Sequence, residues 1–434
     1  MVPYQRNTNT RTITLKGFYL IDRVKEILSR HAFEHDARMS IDPLFFLTHF
    51  ILHFTGDAKL FSLESIRRSV IASAGITISR SAFWERMASK RLGKMLYTTL
   101  AETTKLLSDR YGVNKQLMQS LGVNGLSFFD ATIVTLRENA RTTFDGTFTV
   151  SAIKFHLEMD GISGVLKWAI LSSASVHDNC AFPDVKSLVG RLSIFDLGYY
   201  DWYRFQLMDQ AGAFFLSRLK CNSTVRVNEI VSGFGRKHRG KRLSDITIKK
   251  CRGEIVEFHT LRKIKGESAK FRVIGFWNAE AKKYHWYMTN LTCGASLIAP
   301  LYRMRWQIEL LIKASKQSLN LNQIPSGNEK IVIHLCVARM IALTLSMVIR
   351  RIGLMNTKKS SHEGISVIRS TKVLALLSND IKNYVVDTFV TSRKLLRERI
   401  AALLNELFDP NANRRKTSIG KVVSAAYDSP SQVN

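Results

Sequence analysis

Three carboxylates stand at positions where they could do chemistry together. Asp130 ends the apolar run of "LSFFDAT", Asp196 ends that of "IFDLGYY", and Glu309 belongs to "LYRMRWQIELLIKASKQSLN". A carboxylate that interrupts an apolar strand is costly to bury unless it has a cation or a hydrogen-bond partner. Three converging carboxylates suit hard divalent cations, which prefer oxygen ligands. Two such ions about 4 Å apart can activate a water and stabilise the leaving oxygen in phosphoryl transfer.

The stretch that contains Glu309, residues 301–320, is predicted to be one helix. At about 100° per residue, the spacing of Tyr302, Arg305, Glu309 and Lys316 places them within an arc of about 60°. Apolar residues fill the adjoining arc. The pattern therefore predicts a helix that packs on a sheet with its polar stripe along the edge. The alternative is an ordinary surface helix whose charged face is solvated.

The elements around these residues predict an α/β core. The pattern changes at residue 123, where a strand leads to Asp130, and residues 152–175 read as a hairpin around Asp160-Gly161. Strand, helix and strand then follow over 192–220. This order is typical of a core in which helices cover a sheet.

Before residue 118 the chain is predicted to be mostly helical. The run 77–112 has Ser79 or Ser81 as its N-cap and apolar residues three and four apart. Residues 75–92 fit a turn followed by a DNA-reading helix. They fit a basic packing helix equally well.

Residues 222–296 interrupt the α/β pattern with alternating strands and a strong positive charge. Over 222–290 there are 16 Lys plus Arg against 6 Asp plus Glu. The segment "GFGRKHRGKR" (233–242) resembles a mobile basic loop. Its density of cations predicts contacts with phosphate through five residues, namely Arg236, Lys237, Arg239, Lys241 and Arg242.

After residue 301 the chain is predicted to be helical to about residue 408, with a frayed polar end. The apolar segment 331–349 is long enough to span a membrane, but His334 and Arg339 lie near its middle. Charged groups there are expensive in lipid. We therefore interpret the segment as a helix of the core and expect no membrane partner.

The whole chain is strongly basic, with 64 Lys plus Arg, 35 Asp plus Glu and a net charge of +29 over 434 residues. Such a charge favours a polyanionic partner, first nucleic acid and second an anionic membrane surface. A generally basic protein without a specific partner is the remaining alternative. The five cysteines are scattered and form no C-x-x-C pair, which argues against a disulfide framework or a zinc knuckle.

The pattern Y-x2-R-x3-E-x6-K, formed by Tyr302, Arg305, Glu309 and Lys316, resembles the signature of DDE transposases of the insertion-sequence-4 group. The order of elements over roughly 120–320 resembles that group as well. The resemblance implies a ribonuclease-H-like mixed-sheet core that an all-β insertion interrupts, with helical regions on both sides. It further implies a bacterial, cytoplasmic and nucleoid-associated enzyme.

For the site, the resemblance implies that Asp130, Asp196 and Glu309 are catalytic and hold two Mg²⁺ ions, for which Mn²⁺ can substitute. Water would nick double-stranded DNA at the terminal inverted repeats, and the freed 3′-hydroxyl would then attack, commonly through a hairpin, before transfer into target DNA. A homodimer would hold the two ends. The residues expected to contact DNA are Tyr302, Arg305 and Lys316 near the cut, Trp286 as a platform for a flipped base, and Arg218 and Lys220 on the strand "FFLSRLK".

Several alternatives stay open at this point. Trp277 rivals Trp286 as the stacking residue, and Asp178 or Asp201 could replace Asp196 as the second acid. A two-metal DNA nuclease that does not join ends, or an inactive DNA-binding relative, would share most of these features.

The predicted organisation has five segments. They are a helical DNA-binding region over 1–118, the first part of the catalytic core over 119–221, the basic β insertion over 222–296, the Glu helix of the core over 297–325, and a helical region with a frayed tail over 326–434.

Overall fold

The computed structural model of the chain describes residues 15–32, 41–53, 55, 62–108, 115–140, 144–146, 151–161, 163–219, 224–246, 255–357, 365–387 and 391–409. The described α-helices are α1 (Tyr19–Ala32), α2 (Pro43–Leu52), α3 (Leu63–Ala74), α4 (Arg80–Met87), α5 (Lys90–Ser108), α6 (Lys115–Leu121), α7 (Trp202–Gln210), α8 (Ala295–Met304), α9 (Trp306–Ser318), α10 (Glu329–Asn356), α11 (Val367–Val385) and α12 (Arg393–Ala402). The strands are β1 (Gly125–Thr135), β2 (Ala152–Asp160), β3 (Leu166–Ser173), β4 (Arg191–Phe195), β5 (Phe214–Arg218), β6 (Glu229–Ser232), β7 (Ile255–Ile264), β8 (Glu267–Asn278) and β9 (Lys283–Thr289).

The strands form one mixed sheet of nine strands in the order β3-β2-β1-β4-β5-β9-β8-β7-β6. Strands β1 to β3 are an antiparallel meander, and β4 and β5 run parallel to β1. Helices cover the sheet, and helical regions flank it in the chain. This architecture confirms the predicted α/β, ribonuclease-H-like core, and the hairpin predicted over 152–175 is β2 and β3.

Strand β1 continues past Asp130, although we expected the aspartate to end it. Its parallel pairing with β4 stops at Phe129 opposite Phe195, whereas its antiparallel pairing with β2 continues to Thr135. The strand persists because β2 still satisfies one edge of its backbone. Asp130 therefore lies where the parallel pairing ends, in the middle of the strand.

The two faces of the sheet carry different cores. We call the face that bears Asp130 and packs against α8 and α9 the front face, and the opposite face, which bears Phe129 and Phe195, the back face. Phe128 and Leu216 belong to the front core, while Phe129, Phe195 and Phe215 are buried in the back core. Alternation of side chains along each strand separates the two sets.

The β insertion extends the same sheet and is not a separate layer. Strand β9 pairs antiparallel with β5, with Leu216 opposite Thr289. Asn290 secures the junction, because its Oδ1 accepts from Phe215 N at 2.9 Å and its Nδ2 donates to Ala213 O at 2.9 Å. The front face of the core thereby continues onto the insertion.

The helix predicted over 301–320 is in fact two helices, α8 and α9, that meet at Arg305. The amide of Arg305 donates to Tyr302 O at 3.1 Å, one residue closer than in a regular α-helix. Pro300 lies within α8 and lacks an amide donor. Arg305 forms the junction between α8 and α9, and its side chain reaches Asp130 of β1.

Helix α10 is the one helix in the described ranges that is long and apolar enough to cross a membrane, and 94% of its apolar window is buried inside the protein. It packs against α5 and α11. The fully buried Arg339 donates to the carbonyls of Leu319, Gln323 and Leu335 at 3.2, 2.7 and 3.1 Å. The helix thus belongs to the core, as predicted, and its arginine holds the segment that follows α9.

The helical run predicted over 77–112 is divided into α4 and α5, with Ser79 as the N-cap of α4. Helix α3 ends at Gly75, whose φ of 66° favours glycine. Arg67 of α3 donates to Ile78 O at 2.5 Å and fixes the turn before α4. Helix, turn and helix are therefore present here, with Trp84 of α4 exposed.

Candidate active site

The three predicted acidic residues converge on one guanidinium, that of Arg305. Its Nη1 lies 2.8 Å from Asp130 Oδ2, and its Nη2 lies 2.5 Å from Glu309 Oε1 and 3.7 Å from Asp196 Oδ1. The carboxylates come from β1, from the turn after β4 and from α9. Asp130 and Asp196 are 66 positions apart in the sequence, and Asp196 and Glu309 are 113 positions apart, yet all three share a single site.

Strand register explains how the two aspartates become neighbours. Phe129 of β1 is paired with Phe195 of β4, so the next residue of each strand emerges at the same end of the pairing and on the front face. Glu309 lies one helical turn after Arg305, so the two side chains occupy the same side of α9. The sheet and the junction between α8 and α9 together position all four groups.

Burial sets the protonation behaviour of Asp130. Removal from water, with the nearby charges of Asp196 and Glu309, raises the pKa of Asp130 to about 6, although the charge of Arg305 acts in the opposite direction. For Arg305, burial by itself lowers the pKa, but Tyr302 and the carboxylates raise it above its usual range. The guanidinium therefore remains a cation.

Within the described ranges, no group of three or more His, Cys, Asp or Glu side chains is already arranged around a common metal position. The reason is visible in the site, since Arg305 lies between the acids. The donor set nevertheless fits a hard divalent cation, because three carboxylates supply oxygen ligands. The arginine shows that these carboxylates stabilise a cation between them.

Two further residues of the predicted signature lie close to this centre. The Tyr302 side chain is largely buried, its ring centre is 5.1 Å from that of Tyr287, and the Arg305 guanidinium lies 5.6 Å from its ring. Lys316 donates to Ile133 O at 3.1 Å and so lies along β1 beyond Asp130. The polar stripe thus follows the edge of the front face, as the helical pattern predicted.

Arg218 lies in register with the acidic residues. Phe195 is paired with Ser217, and Arg218 itself with Tyr287 of β9. Asp196 directly follows Phe195, and Arg218 directly follows Ser217, so Asp196 and Arg218 are neighbours on the front face. Lys220, its predicted companion, lies outside the described residues.

The structure places Trp286 on the back face, away from the carboxylates. Its ring lies 5.2 Å from Tyr284, 6.0 Å from Phe258 and 6.1 Å from Phe234. Its neighbour Tyr287 points to the front face and contacts Tyr302. The rival Trp277 also belongs to the back core, so the geometry brings neither tryptophan to the acids.

The five cations of the basic loop are exposed, and backbone and ring contacts tie the loop to the rest of the insertion. Val227 N donates to Lys241 O at 3.0 Å, and Gly240 N donates to Val227 O at 2.6 Å. Phe234 is buried and stacks on His238 with ring centres 5.1 Å apart. These contacts hold Arg236, Lys237, Arg239, Lys241 and Arg242 in place on the insertion.

A buried polar network behind Asp130 was missed in the sequence. Tyr199 OH lies 3.5 Å from Asp130 O and 3.3 Å from His156 Nδ1, and both side chains are almost fully buried. His156 Nε2 lies 2.9 Å from Ser172 Oγ. The signal in the sequence was a histidine at the centre of β2, between Phe155 and Leu157.

The alternative acids have structural roles of their own. Asp201 caps α7 by accepting from Tyr203 N at 2.9 Å and Arg204 N at 3.1 Å. Asp178 lies 3.2 Å from Lys154 Nζ, close to the back-face network. Neither is a partner of Arg305 in the described contacts, which favours Asp196 as the second acid.

Comparison with known proteins identifies the family of the chain. Residues 123–345 match the family model described as transposase DDE domain. The chain belongs to this family. It is therefore a DNA transposase of the DDE class, whose members generally depend on divalent metal ions.

Two other comparisons complete the picture. Among solved structures, the transposase is similar to the piggyBac transposase in the cryo-EM structure of its synaptic complex with hairpin DNA. The match has a TM-score of 0.42 and 8% sequence identity, and covers 93% of this chain and 87% of that chain. Comparison with the curated proteins gave no match.

Proposed function

We propose that this transposase cuts DNA at transposon ends and joins the freed ends to target DNA by a cut-and-paste route through hairpin ends. The observation that carries the proposal is the convergence of Asp130, Asp196 and Glu309 on one cationic centre. The Tyr-Arg-Glu-Lys signature supports placing the chain in the insertion-sequence-4 group.

In the proposed reaction, Asp130, Asp196 and Glu309 would hold two Mg²⁺ ions, or Mn²⁺ in their place. Such ions, when bound, polarise the phosphate and stabilise both the attacking and the leaving oxygen. The acids and their sheet supply the fixed geometry that an in-line displacement requires. Water is the first nucleophile, and the 3′-hydroxyl that it releases is the next.

Cations around the acids are suited to hold the DNA backbone. Arg305 forks onto phosphate oxygens, while Lys316 supplies a compact charge further along β1. Arg218 would hold a phosphate on the insertion side of Asp196, and Lys220 would extend that contact. Tyr302 would support the strand near the cut. Trp286 would meet a flipped base only where DNA reaches the back face of the insertion.

Regions outside the core are proposed to hold the rest of the DNA. The exposed cations of the loop at 236–242 would contact phosphates, and the helices α3 and α4 of the region 1–118 would read the terminal repeats. Two copies of the chain would hold two ends, with the helices beyond 326 as the candidate interface. The setting would be the bacterial cytoplasm, at the nucleoid.

Incubation of the purified protein with DNA that carries the element's own terminal repeats tests the proposal. With Mg²⁺ we expect nicks, hairpins and joined products. Alanine at Asp130, Asp196 or Glu309 should abolish all three while DNA binding is retained, whereas Glu280→Ala in the exposed turn between β8 and β9 should leave them unchanged.

The products separate the alternatives. Nicks without joined products would favour a two-metal nuclease, and binding without any cleavage under every divalent ion would indicate an inactive relative. Continued cleavage by Glu309→Ala would show that the acid has been wrongly assigned.

A further inference from the structure

Arg305 takes the position at which the acids meet. Both of its terminal nitrogens are engaged, with Asp130 Oδ2 at 2.8 Å and Glu309 Oε1 at 2.5 Å. The third acid, Asp196, lies 3.7 Å from Nη2, and only 12% of the arginine side chain is exposed. The guanidinium is thus an internal counter-ion of the whole acidic set.

A divalent cation and this guanidinium compete for the same carboxylate oxygens. Two cations within contact distance also repel each other, most strongly where water is largely excluded. Removal of one partner from a buried ion pair is costly unless a new partner replaces it. Arg305 therefore needs another anion in order to release Asp130 and Glu309.

We propose that Arg305 couples metal binding to DNA binding: it occupies the acidic centre in the DNA-free protein, and a DNA phosphate draws it away so that divalent cations can bind. The inference rests on the proposed function, because it takes the acids as the metal ligands. A phosphate is a suitable new partner, since its oxygens accept both arms of a guanidinium. Asp196, whose Oδ1 lies 3.7 Å from Nη2 of Arg305, has 42% of its side chain exposed, so a phosphate can approach the guanidinium from that side.

As a consequence, the site becomes able to cut only when DNA is bound. Coupling between two ligands is reciprocal, so DNA must tighten metal binding by the same factor by which metal tightens DNA binding. Without DNA, the arginine stays paired with Asp130 and Glu309, and the hydrolytic centre is incomplete.

The first test measures Mn²⁺ binding to the DNA-free, full-length protein by electron paramagnetic resonance of the free ion. Arg305→Gln should bind Mn²⁺ about tenfold more tightly than wild type, within the usual range of coupling between sites. Arg303→Gln is the matched control, because Arg303 is exposed on α8 and the net charge changes equally. Equal or weaker Mn²⁺ binding by Arg305→Gln, relative to Arg303→Gln, would overturn the inference.

The second test uses only proteins that keep Arg305, in case Arg305→Gln does not fold. A short duplex is added to wild type and to Arg303→Gln, and the Mn²⁺ bound by DNA alone is subtracted. Both proteins should bind Mn²⁺ about tenfold more tightly with the duplex present. An unchanged Mn²⁺ affinity would refute the coupling.

These measurements are independent of cleavage. If Arg305→Gln gains Mn²⁺ affinity but wild type cuts no DNA, the coupling stands and the proposed function fails. If wild type cuts DNA and Arg305 has no effect on Mn²⁺ affinity, the function stands and the coupling fails.

Discussion

Neutralising Asp130 should stabilise the folded protein while it destroys activity. The Asp130 side chain is only 13% exposed, and its surroundings raise its pKa from 3.8 to about 6. The folded state therefore holds this proton more tightly than the unfolded state does. Ionisation of Asp130 consequently costs folding free energy: the cost is absent below about pH 3.8, grows as the pH rises to about 6, and is complete above that value.

The size of the effect follows from the two pKa values. Each tenfold change in proton affinity corresponds to about 1.36 kcal/mol, so the ionised carboxylate costs about 3 kcal/mol at pH 8. Asp130→Asn removes that charge and keeps nearly the same shape. The carboxylate accepts from Arg305 through Oδ2 and from Ala131 N through Oδ1, each at 2.8 Å. The single amide oxygen of asparagine can keep one of these two bonds, because the amide nitrogen donates and does not accept. We therefore expect the free energy of unfolding to rise by up to about 3 kcal/mol at pH 8 and by much less at about pH 4.

The assay is urea unfolding of metal-free protein at both pH values, with a chelator present. Glu398→Gln serves as the control for removing an acidic charge, since Glu398 is exposed on α12. If Asp130→Asn is less stable than wild type at pH 8, the attraction of Arg305 outweighs burial and the reasoning is wrong. A stability gain of equal size at both pH values would show that the gain does not come from ionisation.

Three further predictions concern residues around the site. Tyr199→Phe keeps the aromatic packing but removes the hydroxyl next to Asp130, so the rate of cleavage should fall about two- to tenfold, as for one hydrogen bond, with DNA affinity unchanged. Ser172→Ala, further along the network, should reduce the rate less. An equal loss of rate in both variants would argue against a positioning role for Tyr199. Arg236→Gln should reduce the slope of log DNA affinity against log salt concentration by about 0.9, the value for one phosphate contact, whereas Lys394→Gln on α12 should leave the slope unchanged. Fluorescence anisotropy of labelled DNA in a salt series measures both slopes. Arg339→Met should lower the free energy of unfolding by about 2–4 kcal/mol, because buried carbonyls lose their donor. If urea unfolding shows that this variant is as stable as wild type, the prediction is refuted.

Much of the site was predictable because its signals are local in the sequence. An aspartate in an apolar strand signals a buried charge that needs a partner, and the spacing of Arg305, Glu309 and Lys316 fixes their common side of a helix. The apolar runs of the core predicted the hairpin β2–β3 and the succession of strand, helix and strand over 192–220 along the chain. The net charge predicted a polyanionic partner, in agreement with membership of the transposase family.

Strand register and the choice between the two faces of a sheet came only from the tertiary structure. A shift of one residue exchanges the faces, so the sequence could not tell whether Trp286 or Tyr287 points toward the acids. Nor could it show that β9 would pair with β5 and continue the core sheet.

The position of Arg305 is the clearest example of what tertiary structure decides. The helical pattern placed it beside Glu309, but its contact with Asp130 depends on the packing of α9 against β1. The sequence by itself determined which residues carry charge and which side of each element they share. The packing of distant elements determined which charges meet, because a Coulomb interaction depends on distances that the order of residues does not contain.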